Sequence, residues 1–166
     1  WTQVGPDFLG ASNNDEFGTA VSISSDGSRI AISAPKHDVS KGHVRVFDWD
    51  GNSWSQVGSD IDGNAGGDLF GNYMGLSLSS DGSRIAIGDK TFNYGGSQND
   101  ARGETRVFDY VGSDWVQTGS DIYGEARGDN SGIVALSGDG SLLAVGAPSN
   151  DGNGGNSGHV RVHSLG

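Results

Sequence analysis

Apolar and polar residues alternate over short stretches of this sequence, a pattern typical of β-strands with one buried face. In Thr19–Ser24, Val21 and Ile23 alternate with serines, and an Asp-Gly pair follows. Because Asp-Gly accepts the positive φ of a tight hairpin, Arg29–Ala34 is predicted to be the returning strand. The third strand, His43–Trp49, carries apolar side chains on both faces, which predicts a sheet covered on both sides.

The same set of strands occurs three times. The fourth strand of each set is a Trp-x-Gln segment, and three short cassettes mark each repeat: Trp-x-Gln-x-Gly at Trp1, Trp54 and Trp115; Ser-x-Asp-Gly-Ser at Ser24, Ser79 and Ser137; and Gly-x-x-Arg-Val at Gly42, Gly103 and Gly158. Internal repetition of this kind indicates a repeat architecture. We therefore predict an all-β protein of three four-stranded antiparallel repeats, packed face to face as β-propeller-type blades.

The repeats are offset relative to the sequence, with the N-terminal strand belonging to an incomplete set. The sequence begins with a fourth-type strand, Trp1–Val4, and ends after a third-type strand, His159–His163. We treat residues 1–166 as one repeat domain with blades at approximately 6–58, 59–119 and 120–166. The last blade is completed by strand 1–5 of the same or a neighbouring chain.

Three repeats are fewer than the roughly 4–8 blades of typical propellers. Three arrangements remain open. Two chains form a six-bladed ring, copies add head to tail into an open filament, or the sequence is a piece of a longer chain or another three-fold β fold. An unpaired hydrophobic edge favours association in any of them, so we expect the chain not to be an isolated monomer.

Composition and charge exclude some classes of binding partner. The chain has 30 Gly, and 18 of its 21 acidic residues are Asp, which favours turns and disfavours helices. The net charge of −11 without a basic patch argues against nucleic acid and against an anionic membrane surface. No apolar run approaches the roughly 18 residues of a membrane span, so no membrane insertion is expected. The Lys-poor, Gly/Ser/Asn/Asp-rich composition favours an extracellular or cell-surface location.

The residues from Asp15 to Pro35 resemble an FG-GAP repeat: Asp-Glu-Phe-Gly is followed by Val-Ser-Ile-Ser-Ser-Asp-Gly-Ser-Arg-Ile-Ala-Ile-Ser-Ala-Pro. Phe70-Gly71 and Ala147-Pro148 carry parts of this pattern in the other repeats, and the Ser-x-Asp-Gly hairpin is similar to WD40-like blades. The resemblance implies a β-propeller of the kind found in integrin α-subunits and many secreted or surface proteins. It does not imply one biochemical activity, since propellers serve binding, scaffolding and catalysis.

The sequence departs from the integrin-type calcium loop, which runs Asp-x-Asp/Asn-x-Asp-Gly-x-x-Asp. Around Asp26, the other ligand positions are held by Ser22, Ser24 and Ile30. Calcium takes about six to eight oxygen ligands, mostly carboxylate, so this loop is degenerate, and the other two repeats depart in the same way. Cysteine is absent, which excludes disulfides and Cys-based zinc sites. We expect no metal and no cofactor.

The remaining chemically notable residues have structural explanations. Arg127-Gly128-Asp129 spells an integrin-ligand tripeptide, but Asp129 is the repeat's own Asp and is expected to cap a turn. His43 and His159 occupy one repeat position, as expected of strand-surface residues rather than a catalytic histidine. No Gly-x-Ser-x-Gly nucleophile elbow is present, and we expect no enzymatic activity.

Two further residue types repeat in all three copies. The repeated arginines are expected to pair with a turn Asp, and the repeated tryptophans are expected to pack between blades or on the outer rim. They are Arg45, Arg106 and Arg161, and Trp1, Trp54 and Trp115.

We predict a non-enzymatic structural or interaction module that assembles with itself by strand pairing at its open ends. The candidate assembly residues are Trp1, Gln3, Val4, Val160 and Val162. The alternative is a carbohydrate- or protein-binding propeller, similar to a lectin or adhesin, whose contacts are repeated tryptophans or an insertion at 90–102. In that insertion, Phe92 and Tyr94 stand on a polar loop and are the candidate ligand contacts.

Overall fold

The computed structural model describes residues 1–93 and 100–166, and three antiparallel sheets make up its architecture. The first sheet holds β1 (Val21–Ile23), β2 (Arg29–Ala34), β3 (His43–Trp49), β4 (Trp54–Gln56) and the short β5 (Ile61–Asp62). The loop between β2 and β3 contains a tight turn, His37–Ser40, in which Asp38 and Val39 have positive φ angles of 47° and 56°. Both β4 and β5 pair with β3, so the outer strand of this blade runs along β3 in two pieces.

The second sheet repeats this arrangement, and the third contains its first three strands. The second holds β6 (Leu76–Leu78), β7 (Arg84–Asp89), β8 (Glu104–Val111), β9 (Asp114–Gln117) and β10 (Ile122–Tyr123). The third holds β11 (Ile133–Leu136), β12 (Leu142–Ala147) and β13 (His159–Ser164). The prediction of an all-β, propeller-type chain of antiparallel repeats is confirmed.

Register shows that the three sheets are built alike. On the second and third strands of each blade, the equivalent cross-strand pairs are Ile30 with Phe47, Ile85 with Phe108, and Leu143 with His163. Because a shift of one residue would turn every side chain to the opposite face, this shared register fixes which residues are equivalent in the three blades.

The hairpin between the first two strands of each blade is built by its Asp-Gly pair. Asp26 accepts hydrogen bonds from the hydroxyl groups of Ser24 and Ser28 and from the Ser28 amide, while Gly27 has a φ of +74°. Asp81 and Asp139 accept the equivalent hydrogen bonds in the other two blades. In these degenerate calcium-type loops, the Asp carboxylates therefore accept hydrogen bonds within their own turns.

The hydrophobic core lies between consecutive sheets. We call the surface of a sheet that faces the preceding repeat its front face, and the opposite surface its back face. The back face of the first sheet (Ala31, Val44 and Val46) clusters with the front face of the second (Leu76, Leu78, Ile85 and Ile87). The back face of the second (Ala86 and Val107) clusters with the front face of the third (Val134, Leu143 and Val145).

Polar contacts between sheets also repeat. Arg29 pairs with Asp48 of its own sheet at 2.5 Å and donates to the Gly82 carbonyl oxygen in the hairpin of the next sheet. Arg84 pairs with Asp109 and donates to the Gly140 carbonyl in the same way. In the third repeat both partners of the ion pair are replaced, because Leu142 and Ser164 occupy the equivalent register positions.

Candidate functional site

The array has two open surfaces, one at each end. On the front face of the first sheet, Val21 and Ile23 are 61% and 58% exposed, whereas their equivalents in the second sheet are buried. On the back face of the third sheet, Val160 and Val162 are 68% and 65% exposed. Their first-sheet equivalents, Val44 and Val46, are fully buried against the second sheet. The same kinds of residue that form the inter-sheet core are thus uncovered at both ends.

The N-terminal segment, residues 1–9, lies against the front of the first sheet. Trp54 donates its indole N–H to the Val4 carbonyl oxygen at 3.1 Å. In the next repeat, Trp115 donates to the Val57 carbonyl at the same distance. Val4 therefore occupies the same position relative to the first sheet that Val57, in the outer strand of the first sheet, occupies relative to the second.

The internal geometry of this segment is that of an outer strand. The amide group of Gln3 donates to the Asp7 carboxylate at 2.8 Å, as Gln56 donates to Asp60 and Gln117 donates to Asp121. No described strand pairs with residues 1–9. The segment is consequently held in an outer-strand conformation, but it has no sheet of its own among the described residues.

The repeated arginines anchor these outer strands, and here the sequence prediction was wrong. Instead of pairing with a turn Asp, each guanidinium donates to a backbone carbonyl oxygen eight residues after the repeat's Trp. The three pairs are Arg45 with Leu9, Arg106 with Asp62, and Arg161 with Tyr123. The cross-strand ion pairs with Asp are made instead by Arg29 and Arg84, whose role the sequence pattern did not indicate.

Several cavities accompany the open surfaces, and two of them border the outer strands. One, of about 420 Å³, separates the N-terminal segment from the front face of the first sheet, between Val4, Phe8, Phe17, Val21 and Ile30. The other, of about 270 Å³, lies at the rim of the third sheet and is lined by Val107, Thr118, Gly119, Ile122 and residues 163–166. We call the second cavity the rim socket.

All five candidate assembly residues lie at these surfaces, but one chain does not bring them together. Trp1 and Val4 are exposed at the front of the first sheet, and Val160 and Val162 are exposed at the back of the third. The candidate ligand contact Phe92 stacks on Tyr123 with ring centroids 5.7 Å apart, so it packs on its own blade. Tyr94 lies outside the described residues.

The turn-Asp prediction agrees with the geometry, and the tryptophan prediction agrees for Trp54 and Trp115 but not for Trp1, which is fully exposed. Trp115 is buried between blades, and Trp54 lies between Phe8 and Trp49. Asp129 accepts a hydrogen bond from the Ala126 amide at 2.9 Å, as Asp15 and Asp68 do from their own loop amides. The Arg-Gly-Asp carboxylate therefore closes its own turn.

Buried charge is concentrated in the second sheet, and the sequence analysis missed it. Asp89 and Glu104 are almost fully buried, and burial raises the pKa of Asp89 to about 8 and that of Glu104 to about 7. The signal was present in the repeat alignment, because Ala34 and Ala147 occupy the position of Asp89 in the other repeats.

A second polar cluster lies in the first sheet. His37 and His43 stack with ring centroids 4.1 Å apart, and they lie 3.0 Å and 3.3 Å from the carboxylates of Asp15 and Asp60, respectively. Burial lowers the pKa of His43, which favours its neutral form. Across residues 1–93 and 100–166, no group of three or more His, Asp or Glu side chains has an arrangement that could hold a metal ion.

Comparison with known proteins identifies the fold but no family. No protein-family model matches the sequence, and no curated protein matches it. Among solved structures, similar folds include TolB from Acinetobacter baumannii (TM-score 0.51, 16% identity) and KlAtg21 in complex with the coiled-coil of AgAtg16 (TM-score 0.57, 16% identity). Hydrazine synthase from Kuenenia stuttgartiensis is also similar (TM-score 0.53, 13% identity).

These solved structures are propeller proteins much longer than this chain. The alignments cover 93%, 87% and 87% of this chain but only 31%, 39% and 39% of TolB, KlAtg21 and hydrazine synthase. At this level of identity the likeness shows a propeller-type fold alone. In the described part of the chain, the helical content is too short and too polar to cross a membrane.

Proposed function

We propose that this chain is a non-enzymatic structural and interaction module that assembles with copies of itself outside the cell or at its surface. One observation carries the proposal. The back face of the third sheet and the front face of the first are both uncovered, and their equivalents within the chain are buried against each other. A second copy therefore offers the surface that each open end lacks.

The N-terminal segment, residues 1–9, forms one side of the proposed contact. In the first sheet, β3 is flanked along its edge by the outer strand and on its back face by the front face of the second sheet. The cavity of about 420 Å³ between residues 1–9 and the first sheet is the corresponding gap at the open end. In the proposed assembly, β12 and β13 of one copy enter this gap in a second copy, and the segment adds to the free edge of β13.

Such a contact joins different surfaces, so the assembly runs head to tail. If the rotation between copies closes, the product is a ring, and two chains make a six-bladed one. If it does not close, the product is a filament. Both products bury the apolar front and back faces, and electron microscopy of purified particles distinguishes a ring from a rod.

Two observations support an interaction module. Many of the notable polar residues occur as repeated copies with structural partners, and the buried Asp89 and Glu104 of the second sheet are the exception. KlAtg21, a propeller protein of similar fold, was solved bound to a coiled-coil of AgAtg16. A surface or extracellular location agrees with the acidic, Lys-poor composition.

Sedimentation velocity over a concentration series tests the proposal. We expect the mass to rise above the 17.1 kDa of one chain as concentration increases. The double variant Val160→Lys with Val162→Lys places two charges on the exposed back face of the third sheet and should abolish the association. The matched control, Val111→Lys with Val116→Lys, changes two valines of similar exposure away from the open faces. A wild-type protein that stays monomeric, or equal loss in both variants, would overturn the proposal.

A further inference from the structure

We infer that the rim socket receives the indole of Trp1 from a second copy, with its N–H donated to the Thr118 carbonyl oxygen. This inference rests on the proposed self-assembly and names the contact that fixes its register. The rim socket lies between the outer strand of the second sheet, at Thr118 and Gly119, and the end of β13. Trp1 is fully exposed in this structure.

The repeats show what belongs in the rim socket. Gly5 lies so close to the Trp54 indole that a Cβ there would be 2.8 Å from its Cδ1 atom, and Gly58 stands in the same relation to Trp115. Gly119 shares the positive φ of these glycines, with 73° against 75° and 72°. No atom of the described residues lies within 4 Å of a Cβ built on Gly119. The third member of this glycine series therefore has room for an indole.

The opposite wall of the rim socket is also formed by a residue with equivalents in the other two repeats. Trp54 packs on Trp49 and Trp115 packs on Tyr110, with ring centroids 5.2 Å apart in both pairs. Leu165 is the equivalent residue in the third repeat. The Leu165 amide donates to the Ser141 carbonyl in its hairpin. The amides of Trp49 and Tyr110 donate in the same way to the carbonyls of Ser28 and Ser83. The socket thus offers an aliphatic wall to the indole.

Strand pairing in the first two sheets gives the register of the contact. Trp49 lies opposite Trp54, and Tyr110 lies opposite Trp115, which places Leu165 of one copy opposite Trp1 of the next. One residue further along, Asp48 lies opposite Ser55 and Asp109 opposite Val116. The same step pairs Ser164 with Thr2 across the contact.

The far end of the segment has a matching histidine–aspartate contact. His43 lies 3.3 Å from the carboxylate of Asp60, and the repeat equivalents of these residues at the contact are His159 and Asp7. In this structure His159 lies 3.8 Å from Glu125, so the arriving Asp7 would join an acidic partner already beside that imidazole.

A chain does not fill its own rim socket in this arrangement. Its Trp1–Leu9 segment is held at the opposite end of the array, where Trp54 binds the Val4 carbonyl and Arg45 binds the Leu9 carbonyl. The segment is therefore presented outward while its conformation is already fixed. This preorganisation reduces the entropy lost when it adds to another sheet.

Substitution of Trp1 provides the first test. Because buried tryptophans dominate many interfaces, Trp1→Ala should weaken self-association at least about tenfold, measured by sedimentation equilibrium. Trp1→Phe keeps an aromatic ring but loses the N–H donor, so its association should be intermediate. The melting temperature of the dilute monomer should not change, since Trp1 makes no buried contact within its own chain.

Disulfide cross-linking provides the second test. Because the chain has no native cysteine, only the introduced thiols can form disulfides. Thr2→Cys with Ser164→Cys should form disulfide-linked oligomers under mild oxidation, since paired residues on antiparallel strands have suitable Cα separations. The control, Thr2→Cys with His163→Cys, shifts the register by one residue and turns one thiol to the other face. It should cross-link at least about tenfold more slowly, and each single-cysteine variant should give only background dimer.

The outcomes separate the two proposals. If the wild type associates and the two-lysine variant of the back face does not, while Trp1→Ala associates normally or both cysteine pairs cross-link equally, the module self-assembles but the rim-socket inference is wrong. If the wild type does not associate at any concentration, both proposals fail. Weakening by Trp1→Ala together with selective cross-linking at Thr2 and Ser164 supports both.

Discussion

Asp89 and Glu104 are direct partners across strands β7 and β8, and both side chains are buried. Asp89 accepts hydrogen bonds from the amide and hydroxyl of Thr91 through Oδ1. Within the described residues, Asp89 Oδ2 and Glu104 Oε1 have no hydrogen-bond partner. Burial of the two carboxylates opposes their ionisation, which raises both pKa values. Arg106, whose Nε lies 3.4 Å from Glu104 Oε2, offsets only part of this effect at Glu104.

This pair predicts that the protein loses stability as the pH rises from about 4 to about 8. An acid whose pKa is raised on folding binds more protons in the folded chain than in the unfolded chain. Asp89 rises from 3.8 to about 8, so its contribution is full below about pH 4 and is lost as the pH rises through about 8. Urea unfolding should give a free energy of unfolding that falls between pH 5 and about pH 8 and then levels off.

Asp89→Asn should remove most of that decline. The amide oxygen can still accept from Thr91, and the amide nitrogen can donate to the unpartnered oxygen of Glu104. We expect the melting temperature at pH 8 to rise by about 3 °C or more, the effect of about 1 kcal/mol in a chain of this size. Asp62→Asn, on an exposed carboxylate, is the control and should leave the pH profile unchanged. An unaltered profile in Asp89→Asn would refute the prediction.

The hairpin aspartates predict the opposite behaviour in acid. Hydrogen bonds from their own turns lower the pKa of Asp26 and Asp139 to about 2. A lowered pKa contributes stability above the unfolded value of 3.8 that is lost as the pH falls through about 2. Thermal melts of Asp26→Asn with Asp139→Asn should show a lower melting temperature at pH 6 and a smaller further drop at pH 2.5. A drop equal to that of the wild type would count against this account.

The tryptophans predict unequal effects on folding. Trp115 is buried, packs on Tyr110 and donates its indole N–H to Val57. Trp115→Ala should therefore lower the free energy of unfolding by about 3–5 kcal/mol. Trp54→Ala removes a less buried ring and should cost less, but it should also release the N-terminal segment. Limited proteolysis after this change should cut near Val4, and protection equal to that of the wild type would contradict the assigned role.

Restoring the ion pair that the third repeat lacks should strengthen self-association. Leu142→Arg with Ser164→Asp restores the residues that Arg84 and Asp109 supply in the second repeat. In the proposed assembly, the new arginine reaches the Gly27 carbonyl of a second copy, as Arg84 reaches Gly140. Sedimentation equilibrium should show association strengthened by up to roughly fivefold, the yield of a partly exposed ion pair. Salt should reduce the gain, and no change at low salt would contradict the register.

The repeats made much of this fold predictable. Arg29–Ala34 and His43–Trp49 were predicted with the bounds that the structure has, because an Asp-Gly turn and strict alternation leave little freedom. The short strands β5 and β10 were missed, since two residues show no period. The preference of Arg45 for a backbone carbonyl depends on where a distant outer strand ends, which no local pattern records.

The candidate site was predictable only in part. Unequal exposure of equivalent residues is what identifies the open faces, and the sequence indicated Val160 and Val162 because their repeat lacks a fourth strand. It could not indicate the rim socket, which requires two sheets to be in contact before Gly119 and Leu165 face each other. The burial of Asp89 has the same origin, because its surroundings come from several loops.

Each outer strand in this array is attached to two sheets at once. It pairs along the edge of its own sheet, and a side chain of the next repeat holds one of its carbonyls, as Trp115 holds Val57 and Arg161 holds Tyr123. A pull along the array must therefore break strand hydrogen bonds and these side-chain contacts together rather than one after the other. The blades should yield as a single mechanical unit, so a stretched single chain should lengthen in one step instead of three.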